Sequence, residues 1–420
     1  MRAITNPASG ELRDRLAALR ARVAARWGAD AGERFERLML DTWQTTMRRV
    51  EDRVFVLTGD IPAMWLRDSS AQVWPFLRLL DVAEVREVLL GIVREQWRCI
   101  ALDPYANAFN ASDSDAHHDP CDLDLLPGVW ERKYEIDSLG FPILLADALW
   151  RELGDAVLRV PAMHDGCRAV VELWRREQDH ERRSHYRHVR DADPVDTLPR
   201  DGRGAPVAVT GMTWSGFRPS DDACRYGYNI PAQLMAVRAL RHVAAFADVW
   251  GDEALAADAR ALGDEIAEGV DRHGLVDGRY AYEVDGLGGV LEMDDANMPS
   301  LLSLPLTSDV RPDDARYLAT RAWALSDANP YWWSGRAAEG IGSPHTPSGH
   351  VWHIALAVQG LTGSPDEAER CLRVILDTDG GTGWTHESFH ADDPTVYTRA
   401  WFSWSNSMLC ELMLQVLGGA

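Results

Sequence analysis

The stretch ELRDRLAALRARVAARWG, residues 11–28, places its apolar side chains three or four residues apart. This spacing brings them to one face of an α-helix, because an α-helix has about 3.6 residues per turn. The apolar positions are Leu12, Leu16, Leu19, Val23 and Trp27. The stretch therefore predicts an amphipathic helix that packs against other helices.

The same periodicity recurs through most of the chain, and no linker rich in Gly, Ser or Pro divides it. The further predicted helices are 32–48, 69–80, 84–102, 137–152, 161–178, 229–249, 253–272, 295–304, 313–326, 349–362, 366–377 and 400–417. We predict an all-α fold in which residues 1–420 form one domain, with less distinctive N-terminal helices over 1–50. Paired helices can close into a ring, since each must bury its apolar stripe against a neighbour.

Strands are few and the connections between helices are long. Short strands are predicted at 53–57, 206–210 and 279–284. Five connections exceed the usual loop length of about 12–15 residues, and loops of that length are usually functional or disordered. They are rich in Trp, Asp, Pro and Gly, a composition that favours ordered loops. These loops are 52–68, 103–136, 200–228, 327–348 and 378–399. We expect them to build a site at one end of the helical ring.

The composition excludes several classes of partner. Acidic residues outnumber basic ones 65 to 43, giving a net charge of −22. Nucleic acids and anionic membrane surfaces both attract basic proteins, so neither fits as a partner. No apolar run reaches the roughly 18 residues of a membrane span. The six cysteines are far apart with no CxxC pair. This spacing predicts reduced, buried thiols, and together with the charged N-terminus it predicts a cytoplasmic protein.

The first candidate site segment is TGDIPAMWLRD, residues 58–68. Asp60 and Asp68 flank Trp65 and Arg67, a group that could bind several hydroxyls and offer an aromatic stacking face. The alternative is structural: an Arg–Asp pair in which Asp68 caps the next helix.

The second segment, 214–229, carries the adjacent carboxylates Asp221 and Asp222. Repulsion between neighbouring carboxylates raises the pKa of one of them, which a general acid requires. The alternative is a charge pair at a helix N-terminus, where the helix dipole would act in the opposite direction.

The third segment, HESFH, matches the H-E-x-x-H zinc signature through His386, Glu387 and His390. That motif binds zinc only on a helix, and glycines before it and Asp-Asp-Pro after it predict a loop here. Glu387 remains as a candidate base that activates water. The acidic loop 113–124 has neither calcium-binding nor zinc-binding spacing, so we predict a solvated loop, no metal and no cofactor.

Two carboxylates in different surroundings, accompanied by Trp and polar side chains, suit cleavage of a glycosidic bond. Two other classes stay open from the residues alone. One is a zinc hydrolase that uses the HESFH histidines, and the other is a sugar-binding protein without catalysis.

Five long blocks together resemble glycoside hydrolase family 125, the exo-α-1,6-mannosidases. The resemblance covers the chain from about residue 52 to the C-terminus. The blocks are TGDIPAMWLRDSSAQVWPF, VWERKYEIDSLGFPI, SGFRPSDDACRYGYNIPA, MDDANMPSLL and HESFH followed by YTRAWFSWSNSM.

The resemblance implies an (α/α)6 barrel, a metal-independent inverting mechanism and an α-mannoside oligosaccharide as substrate. It implies Asp221 as general acid, with Asp222 as second choice, and Glu387 as general base. An inverting pair should stand roughly 6.5–9.5 Å apart. Only the resemblance selects mannose, so a glucosidase or trehalase of the same helical-barrel type is the alternative. The sugar-binding residues that it implies are Asp60, Trp65, Arg67, Asp68, Arg218, Asp222, Asn297 and His345.

Overall fold

The computed structural model describes residues 4–191 and 194–418, so residues 1–3, 192–193 and 419–420 of the predicted domain lie outside the described residues. Helices dominate the described chain. They are α1 Gly10–Trp27, α2 Ala29–Asp41, α3 Leu66–Ala71, α4 Ala83–Leu102, α5 Ile136–Leu153, α6 Met163–Glu177, α7 His180–Arg183, α8 Pro199–Gly202, α9 Ile230–Trp250, α10 Glu253–His273, α11 Leu304–Thr307, α12 Ala315–Ala324, α13 His353–Thr362, α14 Pro365–Asp377 and α15 Ser403–Gly418.

The strands are short and lie in the connections between helices. They are β1 Met47–Val50, β2 Arg53–Val56, β3 Met64–Trp65, β4 Ala108–Phe109, β5 Val129–Glu131, β6 Tyr228–Asn229, β7 Leu275–Val276, β8 Arg279–Tyr280, β9 Glu283–Val284, β10 Val290–Leu291, β11 Trp332–Ser334, β12 Glu339–Ile341, β13 His350–Trp352, β14 Ser388–His390 and β15 Asp393–Tyr397. Two antiparallel sheets matter for the site, β13–β14–β15 and β10–β9–β6.

The chain divides into two compact units. The first contains the described residues of 1–95 and 332–420, and the second contains those of 96–331. In the first unit α13 packs on α14 and α15, and α15 also packs on α2. In the second unit α9 packs between α5 and α10. The single domain over 1–420 stays a prediction.

Helix α14 shows why these sequences form helices. Ser364 caps its start, because the side chain accepts a hydrogen bond from the main-chain N–H of Glu367. Pro365 follows at the first helical position, where its missing N–H costs nothing. Ala368, Cys371, Leu372 and Ile375 then form the buried stripe. Burying each of the larger side chains contributes about 1.5–3 kcal/mol.

Helix α2, although undistinctive in sequence, binds the loop 378–399 of the first unit. The Arg34 guanidinium of α2 forms an ion pair with Asp379 at 2.6 Å. Arg37 donates to the main-chain oxygen of Gly383 at 2.6 Å. Both partners lie just before the HESF segment, so α2 fixes the start of the loop that carries Glu387.

Most predicted helices and the strand at 53–57 are confirmed, but helix 32–48 ends early. Helix α2 stops at Asp41, a π-helical turn covers Thr42–Thr46, and β1 follows. The hydroxyls of Thr45 and Thr46 donate back to the main-chain oxygens four residues earlier. Such side-chain bonds compete with regular helix. The predicted helix 69–80 is likewise split, into α3 and a 3₁₀ helix over Trp74–Leu79.

Two predicted elements are wrong. The helix over 295–304 is mostly irregular, because the Asp294 carboxylate accepts the main-chain N–H groups of Leu301 and Leu302 at 2.8 and 2.9 Å. That bonding replaces the helical ladder. The strand over 206–210 is irregular chain, whose Ala208 N–H bonds to the main-chain oxygen of Asp285.

The cysteine prediction holds only in part. All six thiols are free, and five are buried, but Cys121 is exposed in the acidic loop. Within the part of the chain that the structure describes, the helices are too short or too polar to span a bilayer.

Gly227→Ala should destabilise the second unit by about 1–3 kcal/mol. The added methyl carbon would lie 2.2 Å from the Trp214 ring, which is buried and stacked on His180 at 3.6 Å. Gly263→Ala is the matched control, since its methyl carbon would meet Leu240 at an ordinary 3.6 Å inside α10. That control should gain about 0.4–1 kcal/mol. Thermal unfolding of both variants checks this, and equal midpoints would contradict it.

Candidate active site

Glu387 immediately precedes β14, the middle strand of its sheet. Ser388 on β14 is in register with Trp352 on β13. The neighbouring His386 places its Nδ1 3.2 Å from the main-chain oxygen of Arg399, and its ring stacks on Tyr397 at 3.7 Å. Burial lowers the pKa of His386. This histidine therefore has a structural role.

The zinc interpretation of HESFH is wrong, because the segment forms strand where the zinc motif requires helix. The Nε2 atom of His386 also lies 3.2 Å from the main-chain oxygen of Asp379, so both ring nitrogens have protein partners. Among residues 4–191 and 194–418, no group of three or more His, Cys, Asp or Glu side chains is arranged to hold a metal ion.

Arg399 connects Glu387 with Asp60. Its Nε donates to the two Asp60 carboxylate oxygens at 3.0 and 3.3 Å, and its Nη2 also bonds Asp60. Its Nη1 lies 3.7 Å from Glu387 Oε1. Burial acts to lower the pKa of Arg399, but the hydrogen bond to Asp60 and the charge of Glu387 outweigh it and raise the pKa. The guanidinium also packs on the Phe402 ring, at 4.3 Å from its centroid.

The other predicted residues of segment 58–68 are buried in the first unit. Trp65, Arg67 and Asp68 are each no more than 5% exposed. Arg67 Nε lies 3.5 Å from Asp68 Oδ2, and its guanidinium lies 5.9 Å from the Trp404 ring. Asp68 does not cap the next helix: it lies inside α3, and the residue before that helix is Trp65. The ion-pair half of the structural alternative is confirmed and the capping half is wrong.

Asp221 and Asp222 lie in a tight loop of the second unit. A bridge between Phe217 and Ala223 closes this loop, and the Arg218 N–H donates to the Asp222 main-chain oxygen at 2.8 Å. Asp221 has φ +68°, a left-handed conformation that Asp tolerates better than most residues. Helix α9 begins only at Ile230 with Asn229 as its cap, so the helix-dipole alternative for this pair is wrong.

Lys133, the only lysine in the sequence, binds the main chain of this loop. Its Nζ donates to the main-chain oxygen of Asp221 at 2.8 Å and to the Asp196 carboxylate at 2.7 Å. Burial acts to lower the pKa of Lys133, but the charges of Glu131, Asp221 and Asp196 outweigh it and raise the pKa. The ammonium therefore stays charged while only 4% exposed.

Lys133 adjoins a buried ion-pair network through Glu131, at 3.9 Å. Arg190 binds both carboxylate oxygens of Asp122 at 2.6 Å and Glu131 at 3.0 Å. The Asn107 amide joins the network to the loop, donating to Glu131 at 2.9 Å and to Asp221 Oδ1 at 3.5 Å. The acidic segment 113–124 is thus largely exposed as predicted, but its Asp122 is buried within this network.

Arg218 and Asn297, both predicted as sugar contacts, are buried in the second unit. Arg218 Nε donates to Glu283 on β9 at 2.5 Å, and Glu283 also accepts the Tyr226 N–H. The Asn297 side chain lies 3.5 Å from Asp295 Oδ1. Burial raises the pKa of the adjacent Asp294 to about 7. His345 belongs to the first unit, where it is exposed in the loop after β12.

Sequence reasoning missed four residues of these clusters. Glu283 carried no signal beyond its charge, whereas Arg399 lies beside Trp401 and Trp404 in the YTRAWFSWSNSM block. Asn107 was hidden in an otherwise ordinary loop. Lys133 offered one signal, since it is the single lysine in a sequence with many arginines.

The chain has the (α/α)6-barrel fold and belongs to the glycoside hydrolases, as its matches to known proteins show. A bacterial glucoamylase solved with acarbose shares the fold, with a TM-score of 0.57 over 92% of this chain and 56% of that one, at 11% identity. A Streptococcus pneumoniae metal-independent α-mannosidase, solved in a non-productive complex with α-1,6-mannobiose, is 44% identical with a TM-score of 0.94. That match covers 98% of this chain and 99% of the other.

The particular family follows from the sequence match. Residues 29–414 match the model of the metal-independent α-mannosidases, GH125, and the chain belongs to this family. The meiotically up-regulated gene 157 protein of Schizosaccharomyces pombe is 35% identical, over 92% of this chain and 82% of that protein. The family and fold class predicted from the sequence are confirmed.

Lys133→Met should lower the stability of the protein by about 1–3 kcal/mol, because the main-chain oxygen of Asp221 loses its donor and the carboxylates of Glu131 and Asp196 lose one of their cations. Arg200→Met is the control, since it removes an exposed ion pair with Glu181 that is worth about 1 kcal/mol or less. Denaturation midpoints of the two variants provide the comparison. A Lys133→Met midpoint no lower than that of Arg200→Met would show that the network adds no stability.

Proposed function

We propose that this protein is an exo-acting glycoside hydrolase that removes non-reducing terminal α-1,6-linked mannose with inversion. The observation that carries the proposal is the match, at 44% identity over nearly the whole chain, to an α-mannosidase solved with α-1,6-mannobiose. Membership in the metal-independent α-mannosidases selects mannose over the glucosidase and trehalase alternatives.

In the proposed reaction Glu387 is the general base and Asp221 is the general acid. Glu387 takes a proton from water as the water oxygen bonds to the anomeric carbon. The glycosidic bond breaks in the same step, and Asp221 gives its proton to the departing oxygen. The two carboxyl groups end with exchanged protonation states, and solvent restores them. Their separation of roughly 6.5–9.5 Å remains the prediction made from the sequence.

The surroundings of the two neighbouring aspartates support Asp221 over Asp222 as the acid. Asp221 is half-buried, so its carboxyl can reach a substrate, whereas Asp222 is 1% exposed. Asp221 also has the left-handed backbone conformation, and such strained residues concentrate at functional sites. Asp222 stays the second choice and a proposed sugar contact.

The remaining proposed sugar contacts fall into two groups, according to whether the side chain already binds another charged residue. Asp60 and Arg218 already bind Arg399 and Glu283, so we expect them to act mainly by holding other groups. The others that we propose to contact sugar are Trp65, Arg67, Asp68, Asn297 and His345. We further propose that residues 1–420 act as one catalytic domain, which the family match over residues 29–414 supports.

We propose the cytoplasm as the place of action. Free cysteines fit a reducing compartment, and all six thiols are free. Fractionation of the source cells with an antibody to the protein tests this, and recovery outside the cytoplasm would refute it.

Glu387→Gln and Asp221→Asn should each lower kcat about 10²–10⁴-fold, the usual contribution of general acid–base catalysis. Glu339→Gln and Asp313→Asn remove exposed carboxylates and serve as matched controls with full activity. Steady-state kinetics on an aryl α-mannoside provides the measurement. If Asp221→Asn keeps its rate and Asp222→Asn loses it, then Asp222 is the acid. If both keep their rates, the acid lies elsewhere.

On α-1,6-mannobioside the first mannose released should be the β-anomer, and EDTA should leave the rate unchanged. Inversion reverses the configuration at the anomeric carbon, and the reaction needs no metal. Time-resolved NMR follows the anomer, with α-1,2- and α-1,3-mannobiosides and an α-glucoside as comparison substrates. Initial α-mannose would refute inversion, faster cleavage of another substrate would refute the specificity, and no turnover would favour a binding protein.

A further inference from the structure

Arg399 stands between two carboxylates of the first unit and serves them differently. Asp60 takes three hydrogen bonds from the guanidinium, through Nε and Nη2. Glu387 faces Nη1 at 3.7 Å, which is an ion-pair distance but longer than a hydrogen bond. Arg399 therefore places a positive charge near Glu387 without a hydrogen bond to the carboxylate oxygens, with which a base would bind water.

The backbone fixes Arg399 to both sides of Glu387. His386, on one side, places Nδ1 3.2 Å from the Arg399 main-chain oxygen. On the other side, the Ser388 N–H donates to the Thr398 hydroxyl at 3.1 Å, and the Thr398 N–H donates to the Ser388 main-chain oxygen at 2.9 Å. Any displacement of Arg399 would thus disturb the main chain on each side of Glu387.

The two residues before Asp60 are bonded to the segment that follows Arg399. Gly59 bridges to Phe402, and the Ser403 N–H donates to the Thr58 main-chain oxygen at 3.1 Å. Gly59 has φ +140°, and a methyl carbon there would lie 2.6 Å from the Trp401 main-chain oxygen. Only glycine lets these two segments of the chain approach each other this closely.

The backbone of Arg399 is itself in the left-handed region, with φ +44°. A non-glycine residue holds this conformation only where its surroundings fix it, and such residues cluster at functional sites. The side chain is 21% exposed, and it lies against the Phe402 ring. The segment therefore accepts backbone strain in order to place a guanidinium at this point.

We propose that Arg399 is a positioning residue for catalysis, which is held in place by Asp60 and orients the Glu387 carboxylate toward the attacking water. The proposal rests on the proposed role of Glu387 as general base. It assigns Asp60 to the bracing of Arg399, with sugar contact as a secondary role at most.

The test compares Arg399→Gln, Arg399→Lys and Asp60→Asn in kcat, KM and the pH profile of kcat/KM. Arg399→Gln should lower kcat about 100-fold, the cost of a small displacement of a catalytic group. The acidic limb of its pH profile should move to higher pH, since the positive charge 3.7 Å from Glu387 is gone. Arg399→Lys should keep the wild-type acidic limb and recover part of kcat. Asp60→Asn should lower kcat less than Arg399→Gln does. Arg272→Gln, an exposed arginine paired with Glu268, is the control with unchanged kinetics.

The double variant Glu387→Gln with Arg399→Gln separates this inference from the proposed function. If Arg399 acts through Glu387, the double variant should be no slower than Glu387→Gln alone. If Glu387→Gln is itself fully active, the base assignment fails, whatever Arg399 does. If Glu387→Gln is inactive while Arg399→Gln keeps the wild-type kcat and pH profile, only the positioning role fails. A rise in KM alone would make Arg399 a substrate contact and overturn the proposal. If Arg399→Gln does not fold, Arg399→Lys and Asp60→Asn decide by the same readouts.

Discussion

A charge removed from water must be given an opposite charge, and this constraint shapes both carboxylate-bearing regions of the protein. In the first unit Arg399 lies between Asp60 and Glu387. In the second unit Lys133 joins Asp196 to the main chain of Asp221. In the first unit the cation binds one carboxylate and faces a second one, and in the second unit the cation fixes the main chain of the residue that carries the carboxylate.

The helices could be predicted because each one buries a stripe whose period is visible in the sequence. Helix α14 shows every such signal, including its cap, its first-turn proline and its apolar stripe. The failures occur where side chains take over main-chain hydrogen bonds. Thr45 and Thr46 end α2 early, and Asp294 prevents a helix over 295–304. A hydrogen bond between one side chain and the main chain has no periodicity in the sequence, so the pattern of apolar residues does not reveal it.

The site could be predicted to the level of segments but not of partners. The pairs Asp60 with Arg399 and Arg218 with Glu283 join residues 339 and 65 positions apart. Such pairs depend on how loops converge, which local spacing does not encode. The zinc motif shows the reverse case. The residues of HESFH match the zinc signature, but the flanking glycines and Asp-Asp-Pro predicted that no helix forms there, and the segment is a strand.

The different chemistry of arginine and lysine explains why each stands where it does. Arg399 and Arg190 each face two carboxylates, and a planar guanidinium with several donors can bond one carboxylate while it faces another. Lys133 instead donates to a main-chain oxygen and to a carboxylate, which suits a compact ammonium with rotatable donors. A chain that otherwise uses only arginine keeps its single lysine at this point. Its arginines, uninformative as a composition, thus acquire distinct roles once their partners are known.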